Sequence, residues 1–273
     1  MRVVTLGDLL LDVVVRLEAP PASDDDVPAA IDLVPGGQAA NVAAWARWLG
    51  AEVRLVARHT DDAAGCLIAS ALEQRGIELA GPLVGGERTG SVVALVSPDG
   101  TRTLASDRGA AGELGPDDVD EAMVDGAEIL HVAGYTLLRE AGAAAALRLA
   151  AAAHGYGARV SVDLSTAHGI AELGREQMRA RVAALEPGVV FANEAEAAAF
   201  GEPLGAVWVI KRGALGCTVE QSGERASHAA VAVERVVDTT GAGDAFAAGF
   251  LVGDVERAQA AAARCITLTG ALP

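Results

Sequence analysis

The stretch "DTTGAGDAFAAGF", residues 238–250, sets one carboxylate, Asp244, behind Gly241 and Gly243 at the start of an apolar helical run. The two glycines permit a tight turn whose backbone N–H groups converge, and a helix beginning near Ala242 adds the partial positive charge of its N-terminus. Such a turn cradles an anion without needing a lysine. It is neither of the common phosphate loops: a GxGxxG fingerprint would need glycine where Phe246 stands, and no GxxxxGK[ST] occurs in the chain. Alone, Asp244 reads equally well as a capping acid worth about 1 kcal/mol. At the positive end of a helix it is expected to stay ionised and to be a weak base.

A second segment, "PGGQAANVAAWARWLGAEVRLVARHTDDAAG" (35–65), places Gly36 and Gly37 just before a helix that carries Gln38 and Asn41 on its first turns. The glycine pair lets backbone approach a ligand closely, and the two amides suit hydroxyl groups. The plainer reading is a glycine turn before a solvated helix start. Around both segments run short apolar stretches that end at polar or glycine residues: "RVVTLGD", "EVRLVAR", "EILHVAG", "ARVSVDLS", "GVVFANE" and "AVWVIKRG". They alternate with helical patterns at 39–49, 62–75, 116–125, 140–154, 172–184, 243–252 and 254–269. The expected fold is α/β, a doubly wound, mostly parallel sheet covered on both faces.

Two regions break the alternation. Residues 12–35 and 84–106 hold paired strand patterns without crossover helices, including a hairpin that turns at "SPDG". They are expected to form a small β-sheet lid on a single domain spanning 1–273. "SVVALV" alternates too little to leave one face solvated, so the lid is expected to be covered by a second copy in a homodimer.

With 273 residues and 51% hydrophobic composition the chain can bury a full core, and no apolar run reaches the ~18 residues of a membrane span. A net charge of −16 argues against nucleic acid and anionic membrane as partners. Without a signal-peptide pattern the chain reads as cytoplasmic. Cys66, Cys217 and Cys265 are far apart and indicate buried thiols, not a disulfide framework or zinc site. Lys211 is the only lysine among 21 basic residues.

Together the two glycine segments resemble the paired signatures of the ribokinase-like (PfkB) carbohydrate kinase family, and "GDLLLD", "NEAE" (193–196) and "KRGALG" (211–216) follow in that family's order. The likeness spans essentially the whole chain. It implies a kinase that uses ATP and Mg2+ to phosphorylate a hydroxyl of a sugar-like small molecule. By that resemblance Asp244 is the catalytic base, with the backbone of Gly241, Ala242 and Gly243 as the anion hole. Asp12, Gly36, Gly37, Gln38 and Asn41 are then the sites that hold substrate hydroxyls. Asn193 matches the family's NxxE motif with Glu196, which organises magnesium, often through water. Lys211, Gly213 and Gly216 fall where the strand-to-loop turn passes the nucleotide, and Asp238 with Thr240 matches positions that bind a monovalent cation, K+, in some members.

The resemblance leaves two acceptor classes open. Nucleoside kinases need an aromatic platform for the base, yet residues 7–38 and 84–110 contain no Phe, Tyr or Trp, and only Tyr135 is a candidate. That favours a sugar. Arg102 and Arg108 lie on the return from lid to core, and an arginine fork suits a carboxylate or phosphate. Arg108 is expected to reach the substrate, the plain alternative being pairing with Asp99 or Asp107. A catalytically silent sugar-binding regulator is the competing class on the same fold. A dehydrogenase would need a GxGxxG after the first strand, which "TLGDLLLD" lacks.

Overall fold

The computed structural model describes residues 1–20, 24–99 and 101–273, and the side chain of Arg102 also lies outside the described part. All six apolar runs become strands of a single nine-stranded sheet. From Ile77–Leu79 through Glu52–Val56, Arg2–Leu6, Ile129–Ala133, Arg159–Asp163, Val189–Asn193 and Val207–Lys211 every neighbour is parallel. The far edge is an antiparallel hairpin, Cys217–Gln221 and Glu224–His228.

The period of two divides the sheet between two cores. Val3, Ile129 and Phe191 face the helices Gln38–Trp48, Ala242–Val252 and Val255–Cys265, packing with Trp45, Phe246 and Leu251. Val4, Leu130 and Val190 face the opposite layer, with Leu149, Met178 and Phe200. A sheet buried on both faces explains why its strands read as continuous apolar runs.

Several expectations are corrected. Residues 116–125 form two short 3-10 turns, Pro116–Asp118 and Glu121–Val124, instead of a helix. Asp118 accepts the Gly115 N–H and Asp120 the Ala122 N–H, both at 2.8 Å, so local side-chain bonds replace the helical ladder. The 172–184 pattern breaks at Gly174, φ 96°, into Ala167–Leu173 and Arg175–Ala184. Cys66 is exposed, while Cys217 and Cys265 are buried as expected.

The lid is a separate four-stranded sheet in the order Ala29–Gly36, Leu10–Leu17, Ser91–Val96, Arg102–Asp107. Its central pair is parallel and its outer pairs antiparallel. It therefore starts two residues before the expected edge at 12, and 84–90 stays outside it. Ile31, Leu33 and Leu104 remain exposed on it. Among the described residues no helix is long and apolar enough to cross a membrane.

Candidate active site

Asp163, Asn193 and Lys211 each close a strand of the main sheet, and the helices Gln38–Trp48 and Ala242–Val252 begin at the same end. In an open parallel sheet that carboxyl end is where ligand crevices form. The lid strand Leu10–Leu17 follows the first sheet strand directly and so hangs over this end.

Asp244 is half-buried on the first turn of its helix. The N-cap, Gly241, is left-handed (φ 76°), no side chain caps it, and a Cβ there would meet Ala271 at 2.7 Å. Asn41 Nδ2 donates to Asp244 Oδ2 at 2.8 Å. Burial pushes the Asp244 carboxyl up to about 7, against the lowering effects of Asn41 and Lys211. This reverses the expectation of an ionised weak base. A helix terminus contributes about 0.3–2 kcal/mol, whereas withdrawing a charge from water costs several, so burial wins.

Lys211 Nζ donates to Asp163 Oδ2 at 2.5 Å, with Asp163 fully buried. A Cβ on Gly243 would lie 3.3 Å from that ammonium, so the lone lysine stands against the glycine turn. Burial alone would lower its pKa, but Asp163 and Glu196 outweigh it and hold the ammonium above its ordinary range. Asp163 escaped the reading of the sequence. Its signal was an acid closing the buried strand in "ARVSVDLS", where a charge without a partner is expensive.

Asn193 and Glu196 form a reciprocal capping box at the helix Glu194–Phe200. Asn193 Oδ1 accepts the Glu196 N–H at 2.9 Å, and the Glu196 carboxylate accepts the Asn193 N–H and Nδ2 at 2.8 and 2.7 Å. Burial, with Asp163 adding to it, pushes the Glu196 carboxyl up. These are hard oxygen donors of the kind magnesium prefers. Yet among the described residues no group of three His, Cys, Asp or Glu side chains could hold a metal. The carboxylate and amide oxygens of Glu196 and Asn193 fit a magnesium ion carried on nucleotide phosphates and reached through water.

On the lid side, a Cβ on Gly36 would fall 2.1 Å from the Asp12 carboxyl carbon, and one on Gly37 (φ 98°) 2.3 Å from the Asp8 carbonyl oxygen. Gly36 thus makes room for the Asp12 carboxyl group and Gly37 for the Asp8 backbone. Burial pushes Asp12 up to about 6. Gln38 Oε1 accepts from Ser165 Oγ, and the buried Oδ1 of Asn41 has no hydrogen-bond partner.

Arg108 pairs with Asp8 rather than Asp99 or Asp107, and its guanidinium lies 4.4 Å over the Tyr135 ring. Asp107 is taken by Arg88 at 2.8 Å. A cleft of about 280 Å³ runs between lid and sheet, lined by Asp8, Asp12, Gln38, Arg108, Tyr135 and Thr240 among others.

Two further expected groups shape the turns beside the site. Asp238 Oδ1 accepts the Thr240 N–H and Oγ1 at 2.9 and 2.7 Å, and its Oδ2 accepts the Gly270 N–H at 3.1 Å, bracing the turn into Gly241. Gly213 and Gly216, both at positive φ, turn the strand Val207–Lys211 into its hairpin, and a Cβ on Gly216 would meet the His228 carbonyl oxygen at 1.9 Å.

A doubly wound sheet with a β lid, an uncapped glycine turn and an acid beside it defines the ribokinase-like small-molecule kinases. The chain belongs to the pfkB family of carbohydrate kinases, whose model matches residues 1–271. It is 33% identical to an ATP-dependent ribose-1-phosphate kinase of Halopiger xanaduensis, across 98% of this chain and 92% of that protein. Among solved structures it resembles an adenosine kinase from Sinorhizobium meliloti (TM-score 0.87, 25% identity, 100% and 95% of the two chains). It also resembles Arabidopsis thaliana ribokinase in complex with ribose and ATP (TM-score 0.79, 26% identity, 99% and 94%). The protein is thus an ATP-dependent kinase of the sugar and nucleoside class.

Proposed function

We propose that the protein transfers the γ-phosphoryl group of ATP to a hydroxyl of a sugar or sugar-like molecule, with Asp244 as the base. The observation that carries this is the Asp244–Asn41 hydrogen bond at the mouth of the Gly241–Gly243 turn. It fixes one carboxylate oxygen, and in this reading the other takes the proton of a substrate hydroxyl. As the new O–P bond forms, the hydroxyl proton passes to Asp244 and the bond to the β-phosphate oxygen breaks, releasing ADP. The loose transition state makes this proton transfer late, so position counts for more than base strength.

The backbone at Ala242 and Gly243 and the Lys211 ammonium face the charge on the transferring oxygens. Magnesium, held through water by Asn193 and Glu196, would neutralise charge on the nucleotide phosphates. Asp12 and the free Asn41 Oδ1 accept from substrate hydroxyls, and the Gly36-Gly37 turn sets their spacing. Gly213 and Gly216 carry the strand end past the nucleotide. Closure of the lid excludes water and suppresses ATP hydrolysis. Asp238 and Thr240, which brace the turn into Gly241, would offer oxygen donors to a monovalent cation such as K+.

Release of ADP from Mg-ATP on addition of single sugars tests the reading; a panel of pentoses, hexoses and their phosphates that yields no ADP would sink it. The name of the Halopiger relative brings pentose phosphates into that panel. The adenosine kinase likeness makes a nucleoside the second reading. Against it, Tyr135 is the one aromatic residue among the described residues lining the cleft, and Arg108 already covers its ring.

A further inference from the structure

Beside the substrate cleft lies a second, smaller cavity of about 150 Å³, whose wall shares Asp8, Arg108 and Tyr135 with it. Its remaining wall includes Gly112, Thr136, Arg139 and Gly142. The cavity is large enough for several waters or a group of phosphate size.

Four features of this wall converge. Two guanidinium groups face it, against the single Asp8 carboxylate that pairs with Arg108. Among the described residues the Arg139 guanidinium has one ion pair, at 3.6 Å to exposed Glu113. Thr136 is 6% exposed, and its Oγ1 has no hydrogen-bond partner, a costly state for a buried hydroxyl. The helix Glu140–Gly155 begins here with no side-chain cap, and Gly142 of its first turn lines the cavity. A Cβ on Gly112 would press on the Arg108 side chain at 3.1 Å and on Arg139 Nη2 at 3.3 Å, so glycine keeps the space between the two arginines open.

An uncapped helix end, a donor without an acceptor and two arginine forks all want the same thing, an anion. We propose that this cavity is a subsite for an anionic group on the substrate, so that the sugar accepted in the main cleft already carries a phosphate or carboxylate. Arg108 has five N–H donors and can keep Asp8 on one edge while the other edge takes the anion. Asp8 thereby orients Arg108 and neutralises it while the subsite is empty. The proposal rests on the kinase reading and narrows its substrate class.

The test is direct binding by calorimetry, with turnover measured in parallel. Ribose, ribose 5-phosphate, ribose 1-phosphate, gluconate and inorganic phosphate are the probes, and wild type, Arg139→Gln and Thr136→Val are the proteins. Charge-assisted contacts of this kind predict that wild type binds one anionic sugar about 10- to 100-fold tighter than ribose. Arg139→Gln and Thr136→Val should each erode that preference by about tenfold, with ATP affinity unchanged. Preference for gluconate would assign a carboxylate, preference for either ribose phosphate a phosphate; both uphold the subsite. Equal affinity for neutral and anionic sugars, or a preference that survives Arg139→Gln intact, overturns it. ADP release with neutral sugars alone would leave the kinase reading standing while the subsite falls.

Discussion

Replacing Asp244 by Asn should yield a protein that is nearly inactive and yet more stable than wild type. The shape and the acceptor for Asn41 Nδ2 are retained, so only the proton acceptor and its charge are lost. Losing a general base costs about 10²–10⁴ in turnover. The stability gain follows from linkage. Burial raises the Asp244 carboxyl from 3.8 to about 7 in the folded protein, so the fold binds the proton more tightly than the unfolded chain does. The resulting penalty on the ionised form grows as pH rises above 3.8, is complete above about 7, and reaches roughly 4 kcal/mol. Asn carries no such penalty. Between pH 5 and pH 8 the advantage of Asp244→Asn over wild type should therefore widen by roughly 2.5 kcal/mol. Urea unfolding of both proteins at the two pH values reads this directly, and single-turnover kinetics reads the chemical step. Equal stability differences at pH 5 and 8 would refute the buried-acid argument, and near-normal turnover would remove Asp244 from the base role.

Three further outcomes are expected. Since the base must be ionised, kcat/KM of wild type should rise with pH to a plateau above about 7, with Asp12 at about 6 steepening the acid limb; a flat profile from pH 5.5 to 8 would contradict both assignments. Arg108→Ala should raise the substrate KM far more than the ATP KM in initial-rate assays, and equal effects would reduce the residue to a surface role. Sedimentation at micromolar concentration should show a homodimer that Ile31→Asp with Leu33→Asp splits, because both side chains lie bare on the same face of the lid sheet, two residues apart; a wild-type monomer with an active lid would count against it.

Six strands of the main sheet were legible because each is a short, largely buried apolar run closed by a polar residue or glycine, while Ile77–Leu79 is too short to stand out. The lid was legible because its strands come in pairs with no helix between them. What the sequence hid was long-range. Nothing in "ARVSVDLS" says that Asp163 will meet Lys211, 48 positions later, and nothing near Arg108 says that its partner is Asp8 and not the adjacent Asp107. The hairpin Cys217–Gln221 and Glu224–His228 was missed because it extends an already complete sheet at its edge. The helical pattern at 116–125 misled because aspartates that bond to their own backbone compete with the helix.

The buried pair at Lys211 shows what stabilises an acid-lined site before any ligand arrives. Asp163 and Glu196 are nearly inaccessible and Asp244 is half-buried, and three carboxylates at one sheet end would repel one another without a cation among them. The chain places its only lysine there. Removing one partner of a buried ion pair costs about 3–5 kcal/mol, because the other charge is left uncompensated. Lys211→Met should therefore destabilise the fold by about that amount, and Asp163→Asn in the same protein should restore most of it, since the stranded charge is then gone. Activity should not return in the double variant, because the positive charge beside Gly243 that faces the transferring phosphoryl group is still missing. Thermal unfolding and kcat measured on the single and double variants separate the two roles: recovery of both together would make Lys211 a purely structural counter-ion, and recovery of stability alone supports its part in the chemistry.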